Sequence, residues 1–322
     1  MKKILILALS VLMVIPVLFI GCDKAEPTVK FGAGVYTSTL TVTDATEDKN
    51  GAGKIDVTVA ALTVDADGKI AACALDTISY TTEYTADGKA VAGEFKTKYE
   101  QGAGYNMVAY GGAKKEWFEQ ADAFETVVAG KTLDEVKALV ADANKGTEEV
   151  MTAGCTIMIH EFVGAIEKAY NAAGAEVSAD AALKVNVATE QTLTDATDEK
   201  DGSNKIACYS FAAAVDADGK VLAASSDCVE VSFTFTAKGV ATLDAAKTVL
   251  SKKEQGASYG MVAYGGAKKE WFEQAAAFDA ACIGKTTEEI AGLLGADGKG
   301  VEDLQTAGCT IYVTGFVRAA AK

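Results

Sequence analysis

The residues of this chain best suited to holding a ligand occur twice. MVAYGGAKKEWFEQA spans residues 107–121 and returns unchanged at residues 261–275. TAGCTI follows each copy at the same distance, at residues 152–157 and 306–311. In the first block, Gly111-Gly112 and Gly265-Gly266 leave room for a close backbone approach. Tyr110, Trp117, Tyr264 and Trp271 offer flat rings for stacking. Lys114 and Lys115, with Lys268 and Lys269, supply charge that would neutralise a phosphate. In the second block, Ala153-Gly154 and Ala307-Gly308 stand before a predicted helix and would expose backbone N–H groups, which hold anions. The hydroxyls of Thr152, Thr156, Thr306 and Thr310 add donors, and Cys155 and Cys309 bring thiols. These types suit binding of a planar, phosphorylated group, and any site built from them should exist twice.

Several other chemistries are poorly served. His160 is the one histidine, and Thr314 stands at its counterpart, so a duplicated histidine zinc site or catalytic triad is excluded. Glu116, Glu119, Glu270 and Glu273 recur, but each pair lies three apart on a predicted helix, where solvated charge is the ordinary reading. GGAKKE lacks the spacing and the Ser/Thr of a P-loop. Asp65-Ala66-Asp67-Gly68 reads as a hairpin turn and not a calcium loop, since the remaining ligands are missing. The seven cysteines include no CxxC pair. Cys208 and Cys228 fall on neighbouring predicted strands, where they either pair or remain buried thiols. Cys73 belongs to the first copy alone and Cys282 to the second. A formal charge of -15, from 30 basic and 45 acidic side chains, disfavours nucleic acid as partner.

The elements that must position these residues repeat as well. Copy one covers residues 32–173 and copy two residues 183–322, with residues 174–182 as a linker. Alternating runs predict strands at 35–42, 55–64, 70–75 and 78–84, and at 221–226 and 229–236. Asp67-Gly68 and Asp218-Gly219 mark hairpin turns, with a further Asp87-Gly88 turn in copy one. Trp117, Phe118, Ala121 and Phe124 form one face of a helix over 114–128, repeated over 268–282. That reading puts the paired lysines in the first helical turn. Gly130 and Gly284 stop these helices, and Thr132/Glu135 and Thr286/Glu289 fit capping boxes for the next ones. A closing helix is expected at 161–172 and at 316–321. Hairpins followed by segregated helices predict an α+β fold of two repeated units, each an antiparallel sheet with packed helices.

The N-terminus carries an export signal. Lys2 and Lys3 precede an apolar run that ends at Gly21-Cys22, and this resembles a bacterial lipobox. Residues 1–21 are then the lipoprotein signal peptide, Cys22 the lipidated residue, and residues 22–31 the anchor linker. The expected location is the extracytoplasmic face of the bacterial cell membrane, with the lipid anchor joining the chain to that membrane.

The order of DGK hairpin, long middle segment, acidic residue, Thr-Ala-Gly step and closing helix resembles FMN-binding domains. It is closest to tandem-domain, membrane-anchored bacterial lipoproteins of extracellular electron transfer. In that family a D-x-x-S/T-G/A-A-T/S motif ends in a Thr or Ser that receives FMN. Asp303 and Thr306 match it in copy two; Glu149 and Thr152 stand there in copy one. The acceptor position falls on Cys155 and Cys309, so the resemblance implies FMN held non-covalently rather than bonded. It further implies electron relay at the cell envelope, with envelope redox proteins as partners. The alternative is a non-redox ligand-binding or structural surface lipoprotein.

Overall fold

The computed structural model describes residues 27–243 and 248–322. Cys22 and the signal segment lie outside the described residues. No described helix is long and apolar enough to cross a membrane.

The first unit comprises β1 (Thr28–Thr37), β2 (Thr41–Thr43), β3 (Gly51–Val64), β4 (Ile70–Tyr84) and β5 (Ala90–Val91). Helices α1 (Lys98–Gln101), α2 (Trp117–Val128), α3 (Leu133–Lys137), α4 (Glu148–Ala153) and α5 (His160–Asn171) follow. A short strand, β6 (Ala175–Ser178), leads to β7 (Ala182–Thr194), β8 (Gly202–Val215) and β9 (Val221–Phe235). The second unit closes with α6 (Lys252–Gln255), α7 (Trp271–Cys282), α8 (Thr287–Ala291), α9 (Glu302–Thr306) and α10 (Thr314–Ala320). The fold is therefore α+β, with two successive units, each an antiparallel sheet flanked by helices. One sheet runs β5-β4-β3-β1-β6, with β2 also on β3; the other runs β7-β8-β9.

Local chemistry explains the boundaries. Asp65 Oδ1 accepts from the backbone N–H of Asp67 (2.9 Å) and Lys69 (2.8 Å), which closes the β3–β4 turn around Gly68. The aspartates of this loop thus serve the turn. Both expected capping boxes form, at Thr132/Glu135 and Thr286/Glu289. Three differences from the sequence reading stand out. The segments read as 70–75 and 78–84 are one continuous strand, β4. The segment read as linker, 174–182, contains β6, which pairs with β1 along Thr28↔Ser178. Helices α2 and α7 begin at Trp117 and Trp271, so the paired lysines precede them and do not lie in their first turns.

The sheets pack face to face, with helices outside both. On the outer face of the first sheet, Ala60, Leu62, Val64 and Leu75 meet Trp117, Phe124, Phe162 and Ile166 from α2 and α5. Phe211, Ala213 and Val215 meet Trp271, Phe278 and Phe316 on the other sheet. Between the sheets, Val35, Ile55, Val57, Ile78 and Tyr80 pack against Val187, Ile206, Val229, Val231 and Phe233. Burial on both faces is why β3 is apolar without strict alternation towards its end. The six described cysteines are free thiols, so Cys208 and Cys228 do not pair.

The two units are related by a pseudo-two-fold axis, because their cross-contacts are reciprocal. Lys168 of unit one pairs with Glu254, and its counterpart Lys322 pairs with Glu100. Ala45 N–H donates to Gly239 O and Ala196 N–H to Gly88 O, both at 2.8 Å. Tyr84 and its own counterpart Phe235 stack on each other, with centroids 4.4 Å apart and planes at 7°.

Candidate ligand-binding site

The two repeated blocks do meet, and a glutamine that recurs with them makes the joint. Gln120 Oε1 accepts from Thr156 N (2.9 Å) and Oγ1 (3.0 Å), while its Nε2 donates to Lys115 O (3.0 Å). Gln274 repeats this with Thr310 N and Oγ1, both at 2.9 Å, and Lys269 O at 3.0 Å. Glu116 does a related job. Its carboxylate accepts from Met107 N (2.9 Å) and Val108 N (3.2 Å), and so ties the Gly-Gly loop to the start of α2. Glu270 accepts likewise from Met261 and Val262. Both glutamates are buried, which corrects the reading of Glu116 and Glu270 as solvated charge. The signal was present: Gln and Glu recurred at fixed places inside an invariant block.

The TAGCTI segment does not form the expected phosphate cradle. Its Ala-Gly step closes the C-terminal end of α4 or α9, and the following helix, α5 or α10, begins only at His160 or Thr314. Gly154 N donates to Met151 O and Cys155 N to Val150 O; Gly308 N donates to Gln305 O and Cys309 N to Leu304 O. These donors are consumed by closing the helix through glycines at φ 109° and 105°. Cys155 and Cys309 are fully buried, and burial pushes each thiol up to about 11. Thr152 and Thr306 are exposed on these terminal turns. A Cβ at Gly154 or Gly308 would collide with the ammonium of Lys115 or Lys269. Those lysines therefore lie over TAGCTI, and Lys269 donates to Ala307 O at 3.3 Å.

The first block also divides. Tyr110 and Tyr264 stand 87% and 92% exposed, away from any cavity wall. Gly111 and Gly265 are needed because Met107 O and Met261 O come within 2.7 and 2.8 Å of where a Cβ would sit. Gly112 and Gly266 take φ 67° and face open space. The glycines thus serve the chain's own turn. Trp117 and Trp271 are core residues that pack edge-on against Phe162 and Phe316.

One cavity of about 580 Å³ in unit one draws on both blocks. Met107 and Trp117 come from the first, Thr156 and Ile157 from the second, with Tyr105, Met158 and Phe162 adding apolar wall. Lys98, Lys145, His160, Asp56 and Glu161 are its charged and titratable members. Lys98 Nζ lies 5.4 Å from the Trp117 ring, 5.5 Å from the Tyr105 ring and 3.6 Å from Asp56 Oδ2. Burial lowers the His160 pKa, keeping the ring neutral, and its buried Nδ1 has no hydrogen-bond partner. Burial raises Glu161, with Asp56 adding to the rise. His160, Lys98 and Tyr105 were not among the expected binding residues; only the fold brings them to Trp117.

In the corresponding region of unit two a larger side chain enters. Thr58, bonded to Thr77 on the cavity wall, is replaced by Tyr209, which stands opposite Cys228. The Tyr209 ring packs edge-on to Phe316 (5.4 Å, 86°) and sits over Gly315, where Glu161 stands in unit one. Its phenol donates to Glu190. Among the described residues, the duplicated blocks therefore frame an open cavity in unit one, while Tyr209 enters the matching space in unit two. Comparison with protein-family models, with curated proteins and with solved structures finds no match to this chain.

Proposed function

We infer that the chain is a ligand-binding protein of the cell envelope whose first unit holds FMN non-covalently. The observation that carries this is the cavity lined jointly by Trp117, Tyr105, Thr156 and two lysines. Its size falls in the range of small-molecule sites, about 300–1,000 Å³. The aromatic and thioether wall suits a planar ring. Lys145 at the exposed end and Lys98 deeper in suit a phosphate, and the orphaned His160 Nδ1 offers a polar contact. A bound flavin would supply electron transfer, and the chain's part would be to position it and exclude water. The buried Cys155 and Cys309 favour a held cofactor over a bonded one. Relay at the envelope rests on the lipobox at Cys22 and the likeness to tandem flavin lipoproteins.

A non-redox reading of the same cavity has one specific observation in its favour. Asp56 and Glu161 share its wall, and both oppose a phosphate unless the lysines outweigh them. The discriminating experiment is titration of the full-length protein with FMN and with riboflavin, followed by flavin fluorescence and absorption. FMN should bind more tightly than riboflavin, and Lys145→Ala should erase that preference. Equal affinities, or no binding of either, would leave the non-redox reading in possession of the cavity.

A further inference from the structure

A second cavity, of about 560 Å³, lies between the units. Its wall includes Asp76, Tyr99, Glu100 and Glu125 of unit one, and Val185 and Lys322 of unit two. The pseudo-two-fold axis relates it to a place lined by Gly34, Asp227, Ser225 and Lys253, where the free space is only about 20 Å³. The two halves share a frame. Asp76 Oδ1 accepts from Thr77 N (2.7 Å) and Tyr99 N (3.3 Å); Asp227 Oδ1 accepts from Cys228 N (2.7 Å) and Lys253 N (3.1 Å). Glu125 Oε1 accepts from Leu75 N (2.7 Å), and Asp279 Oδ1 from Ser226 N (2.8 Å).

The difference centres on Tyr99 against Lys253, with Ala74 against Ser225 and Asp122 against Ala276 beside it. In the closed half, the Lys253 ammonium sits 3.3 Å from Asp279 Oδ2 and 2.9 Å from Ser225 Oγ. In the open half Tyr99 takes its position and turns its phenol to Asp122. Charge follows. The closed half sets two ammoniums, Lys253 and Lys168, against the three carboxylates Asp227, Asp279 and Glu254. The open half sets one, Lys322, against Asp76, Glu125 and Glu100, with Asp122 beside Tyr99. Lys322 does not substitute for Lys253, because its counterpart Lys168 coexists with Lys253 in the closed half and binds the equivalent glutamate.

We propose that the cavity between the units binds a small primary alkylammonium ion, whose N–H donors occupy at Glu125 the place that Lys253 fills at Asp279. The alkyl part lies along Ala74, Leu75, Val185 and Val187. Charge sets the class: the carboxylates select N–H donors over a quaternary cation. Burial pushes Glu125 up to about 8, with Asp122 and Asp76 adding to the rise, and burial pushes Asp76 up to about 6. An entering ammonium therefore displaces the Glu125 proton, and binding tightens as pH rises from about 6 to about 8. This site is separate from the cavity at Trp117, and its test is independent of flavin.

The test is calorimetric titration of the full-length protein with n-butylammonium chloride at pH 8, beside tetramethylammonium chloride. One saturable butylammonium site per chain is expected, with no tetramethylammonium binding. Tyr99→Lys tethers an ammonium in the cavity as the closed half does, and should weaken butylammonium binding at least about ten-fold, the scale of one charge-assisted hydrogen bond. Glu125→Gln should do the same with no added lysine, so the test survives if the Tyr99 variant misfolds. No saturable site, equal binding of tetramethylammonium, or undiminished binding by folded Glu125→Gln would overturn the proposal.

Discussion

Gln120 offers the sharpest test of why the repeated blocks belong together. Replacing it with Met keeps the volume and removes the amide. Three hydrogen bonds disappear, two at Oε1 from Thr156 and one from Nε2 to Lys115 O. Each is worth about 1 kcal/mol net, with more lost where a partner stays buried and unpaired. Thr156 is exposed and regains water, which holds the sum near the lower end. Gln120→Met should therefore destabilise the protein by about 2–3 kcal/mol. For a chain of this size that corresponds to a fall in Tm of roughly 3–5 °C. Urea denaturation followed by circular dichroism gives the number directly. Thr156→Val removes only the hydroxyl bond, so in the double variant the two losses should not add. A Gln120→Met protein within about 0.5 kcal/mol of wild type would refute the claim that this amide clamps the blocks.

Two further outcomes follow from the interface between the units. Burial holds Glu125 near 8 and Asp76 near 6, above their ordinary values of 4.5 and 3.8, so the folded state keeps protons the unfolded chain has lost. Their contribution is fully present below the unfolded values and is lost as pH rises towards 8. Stability should fall over that window in urea titrations at stepped pH, and Glu125→Gln should flatten the fall; an unchanged slope would contradict it. Tyr84 stacks on Phe235 at the pseudo-axis, and both are fully buried. Tyr84→Ala should lower stability by about 3–5 kcal/mol, the usual loss for a buried ring, as read by the same denaturation curves.

The duplication was legible in the sequence because identical blocks at equal spacing need no structure to be seen. The hairpin turns and capping boxes were legible because their geometry is local: Asp65, Gly68, Thr132 and Glu135 contact only near neighbours. What stayed hidden depends on partners distant in the chain. Thr156 meets Gln120 only after α4 turns back beside α2. The donors of TAGCTI looked available because residues 148–153 form too short a helix for periodicity to reveal, although Gly154 is a stop of the usual kind. The invariant glycines looked like room for a ligand, while Met107 O supplies a sufficient reason for Gly111. Strand β6 escaped notice because its four residues extend only the edge of a sheet. The two cavities were hidden for a different reason. Each arises where the copies differ, at Thr58 against Tyr209 and at Tyr99 against Lys253, and attention to the shared residues passes over such positions.

That divergence makes the central claim countable. Two units retain the blocks, yet Tyr209 enters in unit two the space that is open in unit one. Equilibrium titration of the full-length protein with FMN, with intact mass measured before and after denaturation, should give one FMN per chain, released on denaturation and leaving no added mass. Tyr209→Thr should raise the count to two. Absence of FMN binding, two sites in the wild-type protein, or flavin mass that survives denaturation would contradict the account.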